Sequence, residues 1–562
     1  MSKLVFETQA QLKEKIISAV NAAVSKGELP AGELPEFIIE KPADKKNGDF
    51  SSNIAMAGAR VFRMAPKMIA EKIVSNLDLT GTLFERAEVA GAGFINFYLS
   101  QKYYSAIVSD VLSCGENYGR SDFGEGKSIL VEFVSANPTG PMHIGNARGG
   151  AIGDCLSSVL DAAGYKVSRE FYVNDAGNQI EKFATSLEVR YLQLCGSDIE
   201  MPEDAYHGAD ITAHAENFKN IHGDKYASCD SAERRKALVD YALPINIKGL
   251  ETDLKAYRIV YDNWFKESTV HNNGEVEKVL ETLKEKGVTY EKDGALWFKA
   301  SEYGNDKDIV IVRSNGLPTY IVPDIAYHYN KLVTRGFDKA IDILGADHHG
   351  YVPRMKAALT ALGLDADKLD IVIYQMVRLV RDGETIKLSK RSGKAITLNT
   401  LLEEIPIDAA RFFFNLREPN SHFDFDLGLA AEQSSENPVY YVQYAHARIC
   451  SILRKAESEG VTLTTPAEGE LDLLTSDEER ALITHLSALT EEIISAAKNY
   501  DPAKITHYVV ELATLFHKFY NAQRVMNDDK ALMSARLYLC LAVKNTIKNI
   551  LTMLKIEAPD SM

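Results

Sequence analysis

The stretch Ile129-Leu130-Val131-Glu132-Phe133-Val134-Ser135-Ala136-Asn137-Pro138-Thr139-Gly140-Pro141-Met142-His143-Ile144-Gly145-Asn146 decides the fold. Residues 129–134 are almost all apolar, as in a strand buried on both faces of a parallel sheet. Segment 138–141, with a proline at each end and Gly140 between them, breaks the strand. From about residue 147 to 163, Ile152, Cys155, Leu156, Val159, Leu160 and Ala163 recur at the spacing of one helix face, and Gly164 supplies the stop. Residues 165–173 turn extended again. Strand, helix and strand in that order make a β-α-β unit, the beginning of a parallel sheet.

Downstream the alternation continues. Residues 309–312 and 319–322 flank Asn315-Gly316, the signature of a tight hairpin, and Asp324 reads as the opening of a helix. Apolar runs at 340–344 and 371–374 read as buried strands separated by a helix near 353–362. The charged, mostly helical block at about 190–300 reads as an insertion into this sheet unit. After residue 430 the strand signals stop. Over 504–525, Ile505, Val509, Leu512, Phe516 and Phe519 share one helix face, and 534–554 repeats the habit, so a helical bundle follows. Upstream, a helix at 9–24 and a strand at 94–98 after Ala90-Gly91-Ala92-Gly93 mark a small α+β unit. The expectation is a multidomain α/β chain: an α+β domain over 1–115, a parallel-sheet domain over 116–430 and an all-α bundle over 431–562.

A chain of 562 residues is long enough for three to four domains. Its 79 acidic and 63 basic residues leave a net charge of −16, with 46% hydrophobic and 25% charged residues, a balance that excludes disordered and collagen-like classes. The acidic total argues against a general nucleic-acid coat. No run approaches the ~18 unbroken apolar residues of a membrane span, and residues 1–16 lack the basic-then-apolar order of a secretory signal. The cysteines, Cys114, Cys155, Cys195, Cys229, Cys450 and Cys540, are scattered without a CxxC pair. That spacing speaks against a disulfide framework and a cysteine zinc site, and a reducing cytoplasm is the expected location.

Several groups of residues carry chemistry. At the strand-turn-helix corner, a helix beginning at 143–147 offers backbone N–H groups to an anion, His143 and Asn146 add donors, and Gly145 lets a ligand approach the backbone. Taken alone, that corner is equally a turn with an incidental histidine. Lys387-Leu388-Ser389-Lys390-Arg391-Ser392-Gly393-Lys394 lies in a stretch, 378–394, with six basic and two acidic residues. Such a loop can lay ammonium groups on a triphosphate, although alone it reads as a solvated basic loop. Gly345-Ala346-Asp347-His348-His349-Gly350 follows a buried strand, where open α/β sheets bind ligands. Asp347 there can accept from a ribose hydroxyl. Adjacent histidines are poor joint chelators, so no metal site is expected.

Tyr320, Asp324 and Glu132 stand near strand ends, where a carboxylate can hold a guanidinium through two parallel hydrogen bonds. Asp324 is also sufficient as an ordinary acid at a helix N-terminus. Residues 498–555 hold nine basic and four acidic residues together with Tyr508, Phe516, Phe519 and Tyr520. That composition suits unstacked RNA bases. Most of these aromatics are expected in the core and one or two on the surface.

Together these blocks resemble the class I aminoacyl-tRNA synthetases, in particular the bacterial-type arginyl-tRNA synthetases, over essentially the whole chain. Segment 132–146 resembles the stretch ending in the family's HIGH signature, with Asn146 where its second His stands. Segment 387–390 resembles KMSK, with Leu388 in its second position. FYVNDAGNQI (171–180), GADHHGYVPR (345–354) and DAARFFFNLR (408–417) resemble further blocks. NPVYYVQYAHAR (437–448) is similar to the opening of the anticodon-binding bundle, and GDFSSN (48–53) to the N-terminal domain that touches the tRNA elbow.

The resemblance implies a Rossmann-type catalytic domain and a two-step reaction. Arginine is activated by ATP to arginyl-adenylate, then transferred to the terminal adenosine of tRNA(Arg). ATP is expected with Mg²⁺ as a substrate complex without a dedicated protein cage, and the chain is expected to act as a monomer. By the same resemblance His143, Gly145, Asn146, Lys387 and Lys390 serve the phosphates, and Gly345, Asp347, Met376 and Val377 the rest of ATP. Tyr320, Asp324, Asn137, His348 and Glu132 serve arginine, and Tyr520 and Met562 the anticodon. Three other readings stay open at this point: another class I synthetase, a nucleotidyltransferase with a non-tRNA acceptor, and a non-catalytic tRNA-binding paralogue.

Overall fold

The computed structural model describes residues 3–42, 44–381, 383–386 and 396–562. At its centre is a five-stranded sheet in the spatial order Leu369–Tyr374, Lys339–Gly345, Ser128–Phe133, Lys166–Val173, Asn263–Lys266. All four pairings are parallel. The chain starts in the middle with Ser128–Phe133, winds outward through two strands, and returns to add two on the other side. The order therefore reverses between Ser128–Phe133 and Lys339–Gly345, and a crevice opens outside the carboxyl ends of those two strands.

The helix Ile144–Ala162 completes the expected β-α-β unit. It lies close against the sheet because residue 153 is glycine: a Cβ there would fall 2.2 Å from Phe133 Cγ. Gly164, at φ +94°, reverses the chain into Lys166–Val173 as its position predicts. The helix begins three residues earlier than the apolar spacing indicates, because His143 caps it.

Two expectations are corrected. The second arm of the hairpin, 319–322, is not a strand. Beside the Val312–Pro318 bridge, Thr319 donates from its N–H to the Ile311 carbonyl (2.9 Å) and from Oγ1 to the Val310 carbonyl (2.7 Å), and the helix Ile321–Tyr329 then takes over. Pro323 is tolerated there because the first turn of a helix needs no N–H from it. Asp324 is thus the fourth residue of that helix and does not open it. The block 190–300 is not wholly an insertion either: Asn263–Lys266 is the edge strand of the central sheet. Four residues between charged helices are too short a run to show a period. Thr289–Lys292, Ala295–Phe298 and Ile309–Val312 form a separate antiparallel sheet. The helical part of the insertion, Ala209–His222 and Ser231–Ala256, packs on Gly177–Leu194 around its own core of Phe183, Tyr191, Phe218 and Leu238.

The N-terminal unit is an antiparallel sheet of Ile39–Glu40, Phe50–Ser52, Phe94–Leu99 and Phe84–Ala90 with the helices Leu4–Ser25 and Pro66–Ser75. Beyond Leu427–Ala431 the chain is a bundle of Pro438–Ser458, Asp477–Ser487, Leu489–Asn499, Ala503–Ala522 and Lys530–Met553. One continuous apolar cluster joins the N-terminal unit, the helix Ile144–Ala162 and the bundle. Within it Arg411, fully buried, ties three regions: Nε donates to the Leu554 carbonyl (2.9 Å), Nη1 to the Tyr257 carbonyl (2.9 Å) and Nη2 to Asp154 Oδ2 (2.5 Å). No helix among the described residues is long and apolar enough to cross a membrane.

Candidate active site

The crevice at the reversal point is a cavity of about 950 Å³. Glu132, Asn137, His143, Asn146, Asp324, Gly345, Asp347, His348 and Met376 all line it, from four separate stretches of chain. Gly145 lies behind Met376, since a Cβ on it would come within 2.8 Å of Met376 Cε, and Val377 is buried next to it. Tyr320 is outside the wall and 55% exposed. Lys387 and Lys390 lie outside the described residues. The segment that follows them is anchored at the other motif: the Ile144 N–H donates to the Ile396 carbonyl (3.2 Å), the Leu398 N–H to the Met142 carbonyl (3.0 Å), and His143 bridges to Thr397.

The corner differs from an open anion hole. Its first helical N–H groups are already taken, Ile144 by Ile396 and Gly145 by the ring Nδ1 of His143 at 3.1 Å. The His143 N–H donates to Asn146 Oδ1 at 3.1 Å, closing a capping box. Because Nδ1 accepts, the ring proton sits on Nε2, which is left to donate to a ligand. Burial pushes His143 below the ordinary imidazole value, with Asp347 pulling it partly back, so it acts as a neutral donor. Asn146, with Oδ1 committed, offers its amide Nδ2. The anion-binding capacity of this corner is in side chains, not in the helix end.

Val134 and Ser135 adopt φ +69° and +39°, left-handed values that β-branched and small polar residues rarely take. The kink is held by Ser135 Oγ, which donates to Glu132 Oε1 (2.8 Å) and accepts from the Tyr172 N–H (3.1 Å). The other Glu132 oxygen accepts from Lys331 Nζ at 2.6 Å. Lys331 is fully buried and also donates to Asp342 Oδ1 at 2.7 Å. Burial works against its charge, but Asp342 and Glu132 outweigh that and hold its pKa above the ordinary lysine value. Asp342 Oδ2 faces His328 Nε2 at 2.7 Å, and His328 Nδ1 lies 2.7 Å from the Asp324 carbonyl. Glu132 therefore has both oxygens engaged by the protein.

Beside this network lies an acidic slot. Asp324 has part of its surface open to the cavity, yet the protein around it strips away water and pushes its pKa up to about 7. His328 opposes that rise, Glu267 and Glu132 add to it, and Lys331 opposes it more weakly. Glu267, directly after the edge strand, is itself raised by burial, against the opposing influence of the Tyr172 hydroxyl and His271. Asn174, with its amide turned so that Nδ2 donates, reaches Glu267 Oε2 at 3.1 Å. A Cβ on Gly177 would lie 3.8 Å from Glu267 Oε1 and 3.9 Å from Tyr320 Cε1, so Tyr320 stands at the outer side of the same slot. Glu267, Tyr172 and Lys331 escape sequence reading. Tyr172 sits in a quoted block, but Glu267 and Lys331 carry no local signal.

The N-terminal model of arginyl tRNA synthetases matches residues 10–99, the class I (R) tRNA synthetase catalytic domain 107–426, and the DALR anticodon binding domain 442–562. The arginine–tRNA ligase of Caldanaerobacter subterraneus subsp. tengcongensis is 53% identical over 562 residues, covering 100% of both chains. That of Acetivibrio thermocellus is 52% identical over 564 residues with the same coverage. The chain belongs to the arginyl-tRNA synthetases. The arginyl-tRNA synthetase structure from Thermus thermophilus superposes with a TM-score of 0.72 at 23% identity, covering 99% of this chain and 100% of that one. A methionyl-tRNA synthetase from Mycobacterium tuberculosis shares the fold at a TM-score of 0.56 and 12% identity, covering 76% of this chain and 91% of that one. As an arginyl-tRNA synthetase the chain ligates arginine to tRNA, and class I chemistry uses ATP.

In the bundle, Tyr508, Phe516 and Phe519 are core and Tyr520 is 37% exposed. Tyr520 and Met562 share a second cavity of about 340 Å³ with Tyr444, Arg448, Arg454 and Lys455. The Arg448 guanidinium lies 4.7 Å from the Tyr444 ring and 4.9 Å from that of Tyr520. Nearby, His446, Cys450 and Asp560 bring potential metal-ligating atoms within 4.8 Å of one another. The donor set does not favour an ion: His446 Nδ1 is engaged by the Pro559 carbonyl at 2.9 Å, and the Cys450 thiol, pushed up to about 11 by burial and by its bond to Asp560, keeps its proton. Lys544, Lys548 and Arg454 surround the group. It fastens segment 555–562 to the helix Pro438–Ser458.

Proposed function

We propose that the cavity performs both steps of arginine charging by positioning and charge, without a protein nucleophile. The observation that carries this is the juxtaposition of a neutral donor pair, His143 and Asn146, with the acidic slot across one crevice. The arginine carboxylate attacks the α-phosphorus of ATP, the bond to pyrophosphate breaks, and arginyl-adenylate forms. A ribose hydroxyl of the terminal tRNA adenosine then attacks the activated carbonyl and AMP leaves. His143 Nε2–H and Asn146 Nδ2–H hold phosphate oxygens. Lys387 and Lys390 follow the pyrophosphate, with Mg²⁺ arriving on ATP. Gly345, Asp347, Met376 and Val377 hold the nucleoside, and Gly145 keeps the backbone thin beneath it. Asn137 and His348 hold the backbone end of arginine.

Asp324 and Glu267 pair with the guanidinium, and Tyr320 closes the slot from outside. Glu132 acts through Ser135 and Lys331, shaping the 134–137 kink. Tyr520 and Met562, beside Arg448, receive an anticodon base, and we divide the labour at residues 115 and 430. A monomer in the cytoplasm is the working form this reading assumes. The test is ATP–pyrophosphate exchange with tRNA(Arg) present: arginine supports it, whereas citrulline, which lacks the charge, and lysine, which lacks the planar fork, do not. Exchange with lysine at the arginine rate removes the slot assignment.

A further inference from the structure

The helical insertion is hydrogen-bonded to the 138–141 turn through a side chain. Asn246, on Ser231–Ala256, donates from Nδ2 to the Pro138 carbonyl at 2.9 Å. Its Oδ1 faces His214 Nε2, on Ala209–His222, at 2.7 Å. The Pro138 carbonyl can only accept, so Nδ2 must point at the turn and Oδ1 at the imidazole, which makes His214 Nε2–H the donor. Pro244, two residues before Asn246, removes a backbone N–H from the helix ladder at this point. The turn needs an outside hold. It has prolines at 138 and 141, which donate nothing, and it follows two residues with left-handed φ. The same insertion walls the cavity with Tyr206, Gly208 and Asp210, opposite Asn137 and His143.

We propose that Asn246, oriented by His214, is a positioning residue for arginine activation: it clamps the 138–141 turn and thereby sets where Asn137 and His143 meet the substrates. This rests on the roles given to those two residues above. Because the insertion has its own core, loss of the clamp displaces the turn without unfolding the sheet. One neutral hydrogen bond in this setting corresponds to roughly a fivefold to tenfold effect.

The test is steady-state ATP–pyrophosphate exchange and aminoacylation by the full chain carrying Asn246→Ala, Asn246→Asp, His214→Ala or His214→Gln, with His143→Ala in parallel. Asn246→Ala is expected to lower kcat for exchange roughly fivefold to tenfold with KM for tRNA and the melting temperature unchanged. Asn246→Asp, which can accept from His214 but cannot donate to Pro138, loses at least as much. His214→Gln, whose amide N–H can still donate to Asn246, stays near wild type, while His214→Ala falls between. Wild-type kinetics in Asn246→Ala overturn the clamp, as does a loss that scales equally across all substrates and follows the melting temperature. If His143→Ala leaves exchange intact, the site reading fails instead, independently of the clamp.

Discussion

Arginine binding should release a proton, and its pH dependence can be worked from Asp324. In the arginine-free protein its pKa is about 7, so near neutrality the carboxyl is roughly half protonated. The guanidinium of arginine is always charged and pairs only with the anion, so binding drives the proton off. The apparent dissociation constant then scales as about 1 + 10^(7 − pH), and affinity falls about tenfold between pH 8 and pH 6. Glu267, also raised, acts in the same direction and can only steepen the fall. Isothermal titration of arginine into the full chain at several pH values, in two buffers of different ionisation enthalpy, reads both the affinity and the proton count. An affinity flat from pH 8 to pH 6, with no buffer dependence of the enthalpy, refutes the reasoning.

The same raised pKa sets a stability effect of definite sign. A carboxyl whose value rises from 3.8 to about 7 on folding contributes stability that is complete below the lower value and lost as pH passes through the higher one. At pH 8 that amounts to a cost on the order of 4 kcal/mol. Asp324→Asn should therefore melt higher than the native chain at pH 8, with the gap closing towards pH 5, while losing arginine binding. A lower melting temperature for the variant at pH 8 contradicts a desolvated anion at this position.

Three further outcomes are expected. Glu267→Gln removes one charged partner of the guanidinium, about 2 kcal/mol or roughly thirtyfold in KM for arginine, with KM for ATP unchanged in the exchange assay. Tyr520→Ala removes a stacking surface beside Arg448, raising KM for tRNA roughly tenfold in aminoacylation without altering KM for arginine. Arg411→Met deprives buried Asp154 of one of its two arginine partners, Arg169 remaining on Oδ1 at 3.1 Å, and takes donors from the Leu554 and Tyr257 carbonyls, so denaturant unfolding should show a loss of about 3 kcal/mol. Adding Asp154→Asn should recover part of it.

What was legible in the sequence was whatever repeats with a period or stands at a chain break. The β-α-β unit followed from apolar spacing at 152–163 and from Gly164. The bundle followed from 505–519, and the site motifs from their places after strands. What was not legible depends on neighbours far along the chain. Asn263–Lys266 is a strand only because Lys166–Val173 offers it an edge. The type of residue 324 was readable, but its charge state was not, because the packing that buries it and the charges of Glu267 and Glu132 come from distant segments. The setting of Glu132 was equally hidden, because Lys331, which holds one of its oxygens, comes from 199 residues away.

The departure at position 146 becomes intelligible on the same terms. The helix end at His143 is closed by its own ring, so in the proposed function phosphate recognition falls to side chains that must also keep the cap intact. An amide at 146 does both at once: Oδ1 accepts the His143 N–H while Nδ2 remains a donor, and neither role changes with pH. A histidine there could match this only as one neutral tautomer, since protonation would remove the acceptor and open the cap. The replacement therefore gives up a group that could carry positive charge and makes the Asn146 half of the cap independent of pH, while the other half, the Gly145 N–H on His143 Nδ1, still requires a neutral ring.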